Sequence, residues 1–146
     1  MKSRHIAREI ALQILYRYDV NTQSGGGVAP KDMALADDLK KHFEHFQVAA
    51  EVRQFAAELV VGTLSKTPAL DEQVEKFATN WKISRMALID RNLLRMAIYE
   101  MTNFTDIPAS VTIDEAIELA KQFGTADSSA FINGILDALK KEIGKA

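Results

Sequence analysis

Apolar residues recur at intervals of three and four along almost the whole chain, and no alternating stretch bounded by turn residues interrupts them. That period is helical, so the sequence predicts an all-α protein. The first helix is expected from Ser3, placed as its N-cap, to about residue 19. Ile6, Ile10 and Ile14 form one row, Ala7, Ala11 and Leu15 the row beside it, and both should face a core. Three consecutive glycines make helix continuation costly and predict a flexible loop over residues 21–30. No Lys-Ser or Lys-Thr pair follows them, so this loop is not a phosphate cradle.

A second helix is predicted over about residues 31–46, with Leu35, Leu39, Phe43 and Phe46 inward. A third, over about 49–65, buries Val52, Phe55, Ala56, Leu59, Val60 and Leu64 before Pro68 disfavours helical geometry at Thr67. Leu70, Val74 and Phe77 mark a short fourth helix, followed by an irregular piece containing Trp81. Ser84 is read as the cap of a fifth, whose core candidates are Leu88, Leu93, Met96, Ala97 and Met101. Ser110 opens a sixth, presenting Ile113, Ala116, Ile117 and Ala120 and ending at Gly124 as a C-terminal glycine; a seventh runs from about Asp127 to Gly144. About seven helices with short connections predict two packed bundles within one domain, residues 1–146.

A content of 47% apolar residues suffices for a continuous core at this length. With no cysteine, disulfide frameworks, thiolate nucleophiles and thiolate metal sites are excluded. No apolar run approaches the ~20 residues that cross a bilayer. Arg8 and Glu9 break the opening stretch that a signal peptide would need, so the expected location is the cytoplasm, away from membranes. The net charge of −2 argues against an all-over basic surface, but the distribution is uneven. From Met1 to Tyr18, Lys2, Arg4, Arg8 and Arg17 stand against Glu9 alone, which leaves the remainder acidic. A basic helix on an acidic body suits a protein that meets a polyanion with one end.

Catalytic constellations are weak. His42 and His45 lie one turn apart and could face a zinc ion, yet no third ligand has metal spacing, and a polar helix face accounts for them better. Neither a metal nor a cofactor is expected. Glu115 and Glu118 could share a proton if buried, but their surroundings predict solvated charge. Arg4 and Arg8 are four apart and project from one stripe, with His5 beside them and Lys2 before them. Such guanidinium groups can grip phosphate or stack on an unpaired base; ordinary surface charge or pairing with the acidic body is the competing reading. Asp127, Ser128 and Ser129 open the last helix, where capping competes with phosphate binding. Phe131, one turn later, is a core aromatic by default and a base-stacking surface otherwise.

Three ordered stretches resemble the NusB family of bacterial transcription antitermination factors: RHIAREIALQILY from Arg4, DRNLLRMAIYEM from Asp90, and IPASVTIDEAIELAKQFG from Ile107, continued by SSAFINGIL from Ser128. The stretch from Asn21 to Phe46 matches only in helical character. The resemblance implies two three-helix bundles with one additional helix, and no enzymatic activity. It also implies binding of the single-stranded boxA element of nascent ribosomal-operon RNA, together with the ribosomal small-subunit protein NusE, in an RNA polymerase elongation complex with other Nus factors. By motif position, Lys2, Arg4, His5, Arg8 and Gln13 are expected to face RNA, as are Asp127, Ser128 and Phe131; Tyr16 and Asp90 are expected to face the protein partner. Several relatives carry a denser arginine cluster, and some a lysine where Ala130 stands, so the resemblance implies weaker intrinsic RNA affinity and more reliance on the partner. A homodimer burying the basic helix is a further expectation. Two other readings stay open. One is a NusB-like domain preceding an RNA cytosine methyltransferase, which requires a glycine-rich strand-to-helix turn that these 146 residues lack. The other is a helical adaptor that binds only protein, which salt-resistant RNA binding dependent on Arg4 and Arg8 would rule out.

Overall fold

The computed structural model describes residues 2–23, 39–41, 43–44 and 48–145, and every regular element among them is helical. The chain divides into two compact units, Met1–Leu64 and Ser65–Ala146. In the first, α1 (Lys2–Gln23) begins before Ser3 and continues past Asp19. Ser3 is therefore inside the first turn rather than its cap, and Asn21–Gln23 are helical rather than loop. No helix breaker stands before the glycines, so nothing stops α1 sooner. Of the predicted second helix, residues 39–41, 43 and 44 are described and helical, with Leu39 and Phe43 buried as expected. Leu35, Phe46, His42 and His45 lie outside the described residues, as does the remainder of the glycine loop. In α2 (Ala50–Ser65), Val52, Phe55, Ala56, Leu59 and Val60 are buried as the period predicts.

The second unit contains α3 (Thr67–Phe77), a 3-10 turn (Ile83–Arg85), α4 (Leu88–Asn103), α5 (Ala109–Phe123) and α6 (Ser128–Ile143). Pro68 falls in the first turn of α3, where its missing N–H costs nothing, and so starts a helix where the sequence predicted a stop. The helix α4 touches α3, α5 and α6. Its central place explains why Leu93, Leu94, Met96, Ala97, Ile98 and Met101 are buried all round it. Two polar groups that α4 carries inward are bonded: Glu100 Oε2 accepts from Thr112 Oγ1 at 2.6 Å, and Asn92 Nδ2 donates to Leu88 O at 2.8 Å.

In the second unit two helix starts depart from the sequence reading. Ser84 does not cap α4; it sits in the separate 3-10 turn, held where the Ile83 N–H donates to Glu75 Oε2 at 2.7 Å and Arg91 Nη1 donates to Ile83 O at 3.3 Å. The α5 helix starts at Ala109, with the Pro108 carbonyl accepting from the Val111 and Thr112 amides. Gly124 ends α5 as expected, at φ −93°, and Gly144, at φ 67°, is a left-handed cap of α6.

Candidate nucleic-acid interface

An α-helix turns by about 100° per residue, which sorts α1 into two arcs. Ala7, Arg8, Ala11, Leu12, Ile14 and Leu15 are buried. Ile6, Gln13, Tyr16 and Arg17 fall on the opposite side and are exposed. The buried arc is rotated by roughly a fifth of a turn from the one the isoleucine rows predict, so Ile6 faces out and Arg8 faces in. Arg8 is only 3% exposed, with its guanidinium carbon 5.3 Å from the centre of the Phe55 ring. Arg4, at the open start of the helix, lies 5.1 Å from the same centre yet is exposed. One α2 aromatic thus braces both cations and only Arg4 presents its charge outward. His5 is half-buried, and Lys2 is the first residue of α1. Gln13 does not share the arginine stripe: nine residues are two and a half turns, which puts it opposite Arg4 on the arc of Ile6 and Tyr16.

The other expected residues meet in the second unit. After α3, Asn80 adopts φ 69°, a left-handed turn that asparagine tolerates, and Trp81 follows with its N–H donating to Ala78 O at 2.9 Å. The Trp81 ring then meets Phe131 of α6 edge-to-face, centroids 6.0 Å apart. Opposite, the joint between α5 and α6 closes tightly: the Thr125 N–H donates to Ser128 Oγ at 2.9 Å. A Cβ on Gly124 would stand 2.5 Å from that Oγ and 2.8 Å from Ala120 O, so close approach is why glycine ends α5. Ser128 is 1% exposed, and its hydroxyl serves this joint. Asp127 precedes α6, exposed and making no side-chain capping bond.

Trp81, Arg85, Asp90, Asp127, Ser128 and Phe131 line one pocket of about 280 Å³. The motif positions divide these residues between a protein face, Asp90, and an RNA face, Asp127, Ser128 and Phe131; here all four share a wall. Asp90 Oδ1 is buried and has no hydrogen-bond partner among the described residues. The lining of the pocket thus carries two carboxylates, a guanidinium and two aromatic rings. Trp81 and Arg85 escaped the sequence reading as site residues. The signal available was an isolated tryptophan in an irregular segment, and it is 53% exposed. Among the described residues no group of three histidines, cysteines or carboxylates could hold a metal ion, and no helix is long and apolar enough to cross a membrane.

Comparison with known proteins places this geometry in a family. The model of the NusB family matches residues 5–141. The chain is 45% identical to the transcription antitermination protein NusB of Geotalea uraniireducens, covering 95% of this chain and 94% of that protein. It is 43% identical to the protein of the same name from Desulfitobacterium hafniense, covering 98% and 91%. Among solved structures, T. maritima NusB superposes with a TM-score of 0.78 at 30% identity, over 95% of this chain and 91% of that one. A chain in the crystal structure of antitermination factors NusB and NusE in complex with dsRNA shares the fold, with a TM-score of 0.80 at 24% identity over 97% and 98%. These relatives are antitermination proteins and not enzymes, and the chain belongs to the NusB family.

Proposed function

We propose that this chain is a transcription antitermination factor that acts as one RNA-binding domain in the cytoplasm. It binds the boxA element of nascent ribosomal-operon RNA together with the ribosomal small-subunit protein NusE, and the pair joins RNA polymerase and other Nus factors. Family membership across residues 5–141 carries the reading. Arg4 at the exposed start of α1, with Lys2 and His5 beside it, supports a phosphate contact. Arg8 braces that contact from within through Phe55. On the opposite arc, Gln13 and Tyr16 suit the protein partner better than the strand. In the second unit Asp127 and Phe131 line the pocket on the side expected for RNA, Ser128 shapes it, and Asp90, in the same lining, is the position for the protein partner.

Titration of single-stranded boxA-like RNA against a scrambled strand, with and without the ribosomal protein, tests the proposal. Preference for boxA that strengthens with the partner is expected. Equal affinity for both strands in the partner's presence would refute it. In the same assay Asp90→Lys should weaken the ribosomal protein's binding while leaving the helical spectrum unchanged.

A further inference from the structure

Residues 78–87 join α3 to α4, and their one regular turn is Ile83–Arg85. Trp81 stands in this connection, half exposed, yet its ring keeps an edge-to-face contact with Phe131 of α6. Burial alone holds such a ring weakly, so the backbone that carries it needs partners of its own. Ile83 has them on both of its backbone polar groups. Its N–H donates to Glu75 Oε2 at 2.7 Å, and its carbonyl accepts from Arg91 Nη1 at 3.3 Å and from the Met86 N–H at 3.2 Å. An anion on α3 thus holds one side of Ile83 and a cation on α4 the other, and bonds to charged groups are stronger than neutral ones. On the opposite flank of Trp81, the left-handed turn at Asn80 and the bond from the Trp81 N–H to Ala78 O tie the chain to the end of α3.

We propose that Glu75 and Arg91 are positioning residues for RNA binding: by clamping Ile83 they seat Trp81 against Phe131, and so fix the aromatic ring on the side of the pocket expected for the strand. The inference rests on the RNA-binding reading above and adds to it two residues that act without touching the strand. The energy of an edge-to-face pair depends on the mutual orientation of its rings, so a connection free to shift would lose it. Glu75 is exposed, and among the described residues the Ile83 amide is its hydrogen-bond partner. The competing reading is ordinary solvated charge, and the two differ in sign. A carboxylate repels a polyanion, so as mere charge its removal would tighten RNA binding. As half of a clamp its removal must weaken it.

Trp81 is the only tryptophan of the chain, so its fluorescence reports on the seat directly. Three forms of the full chain are compared: the parent, Glu75→Ala and Glu75→Gln, whose amide oxygen keeps the acceptor while the charge is lost. Each is measured without RNA for Trp81 emission and acrylamide quenching, and then titrated with boxA-like single-stranded RNA. Glu75→Ala should shift the emission to the red, raise the quenching and weaken RNA by about two- to tenfold, the worth of one edge-to-face pair. Its helical spectrum and thermal midpoint should stay near those of the parent, because the residue is exposed. Glu75→Gln should keep the parent's Trp81 signals and bind RNA as tightly as the parent or more so. In a Trp81→Leu background, Glu75→Ala should weaken RNA no further. Unchanged Trp81 emission and quenching in Glu75→Ala would overturn the clamp. A freed Trp81 with undiminished RNA affinity would overturn its role in binding, as would an equal loss of affinity in Glu75→Gln. A parent that does not prefer boxA to a scrambled strand overturns the antitermination reading instead, and the Trp81 measurements, made without RNA, still decide the clamp.

Discussion

Arg8 is a buried cation held against an aromatic ring, so its removal should reach stability before it reaches RNA. Arg8→Ala is expected to lower stability by about 1–3 kcal/mol, because the packed stem and its place over the Phe55 ring go with it, read from urea unfolding. Arg4→Ala should leave the midpoint nearly unchanged and reduce the slope of log K against log salt by roughly 0.7 for each single-strand phosphate that is no longer neutralised. An unchanged Arg8→Ala midpoint would show that its burial is not structural. The period made the i, i+4 pairing of these arginines legible, but not that the stripe turns inward, because a guanidinium can enter a core on its aliphatic stem. Gly124 is a second case. The sequence marks it as a helix end, yet its reason is the Ser128 hydroxyl that a Cβ would strike. Gly124→Ala should cost about 1–3 kcal/mol by overpacking, measured as a fall in the thermal midpoint.

Helix existence follows from periodicity, and most of the predicted core positions of α2 and α4 are buried, Leu64 and Leu88 being only partly so. Helix starts do not follow so easily. Ser84 and Ser110 have the chemistry of caps, but Glu75 and Arg91 fix one start from elsewhere in the fold and the Pro108 carbonyl supplies the other. Glu75 is a neighbour of that turn in space and not in sequence, whereas Pro108 directly precedes the helix it starts. The bond from Thr112 to Glu100 likewise ties α5 to α4 in the interior. Thr112→Val keeps the shape and removes that donor from a buried carboxylate. It should destabilise the fold by about 1–3 kcal/mol, with Thr112→Ser restoring most of the denaturant midpoint. A valine variant as stable as the parent would mean that the other interactions of Glu100 suffice.

For the molecule as a whole, the charge map offers a direct test of where RNA runs. Asp127 is an exposed anion at the wall proposed for the strand, so Asp127→Asn should tighten single-stranded RNA binding several-fold at low salt. The advantage should shrink as the Debye length falls to about 8 Å near physiological ionic strength and less above it. An unchanged affinity at low salt would place the strand elsewhere. The motifs made each half of the pocket legible separately; that Asp90 and Phe131 line one pocket could not be read from a separation of forty-one residues. The order of packing in the second unit has a consequence in time. There α3 lies on α4, α4 on α5 and α5 on α6, each helix meeting the one that follows it in the chain. Helical folds dominated by such local pairings reach their native state in about microseconds to milliseconds, since little loop-closure entropy precedes each gain. The joint from Gly124 to Ser128, closed by a bond across three residues, belongs among the earliest of these events. Gly124→Ala should therefore slow folding more than it hastens unfolding, giving a φ-value nearer one than zero.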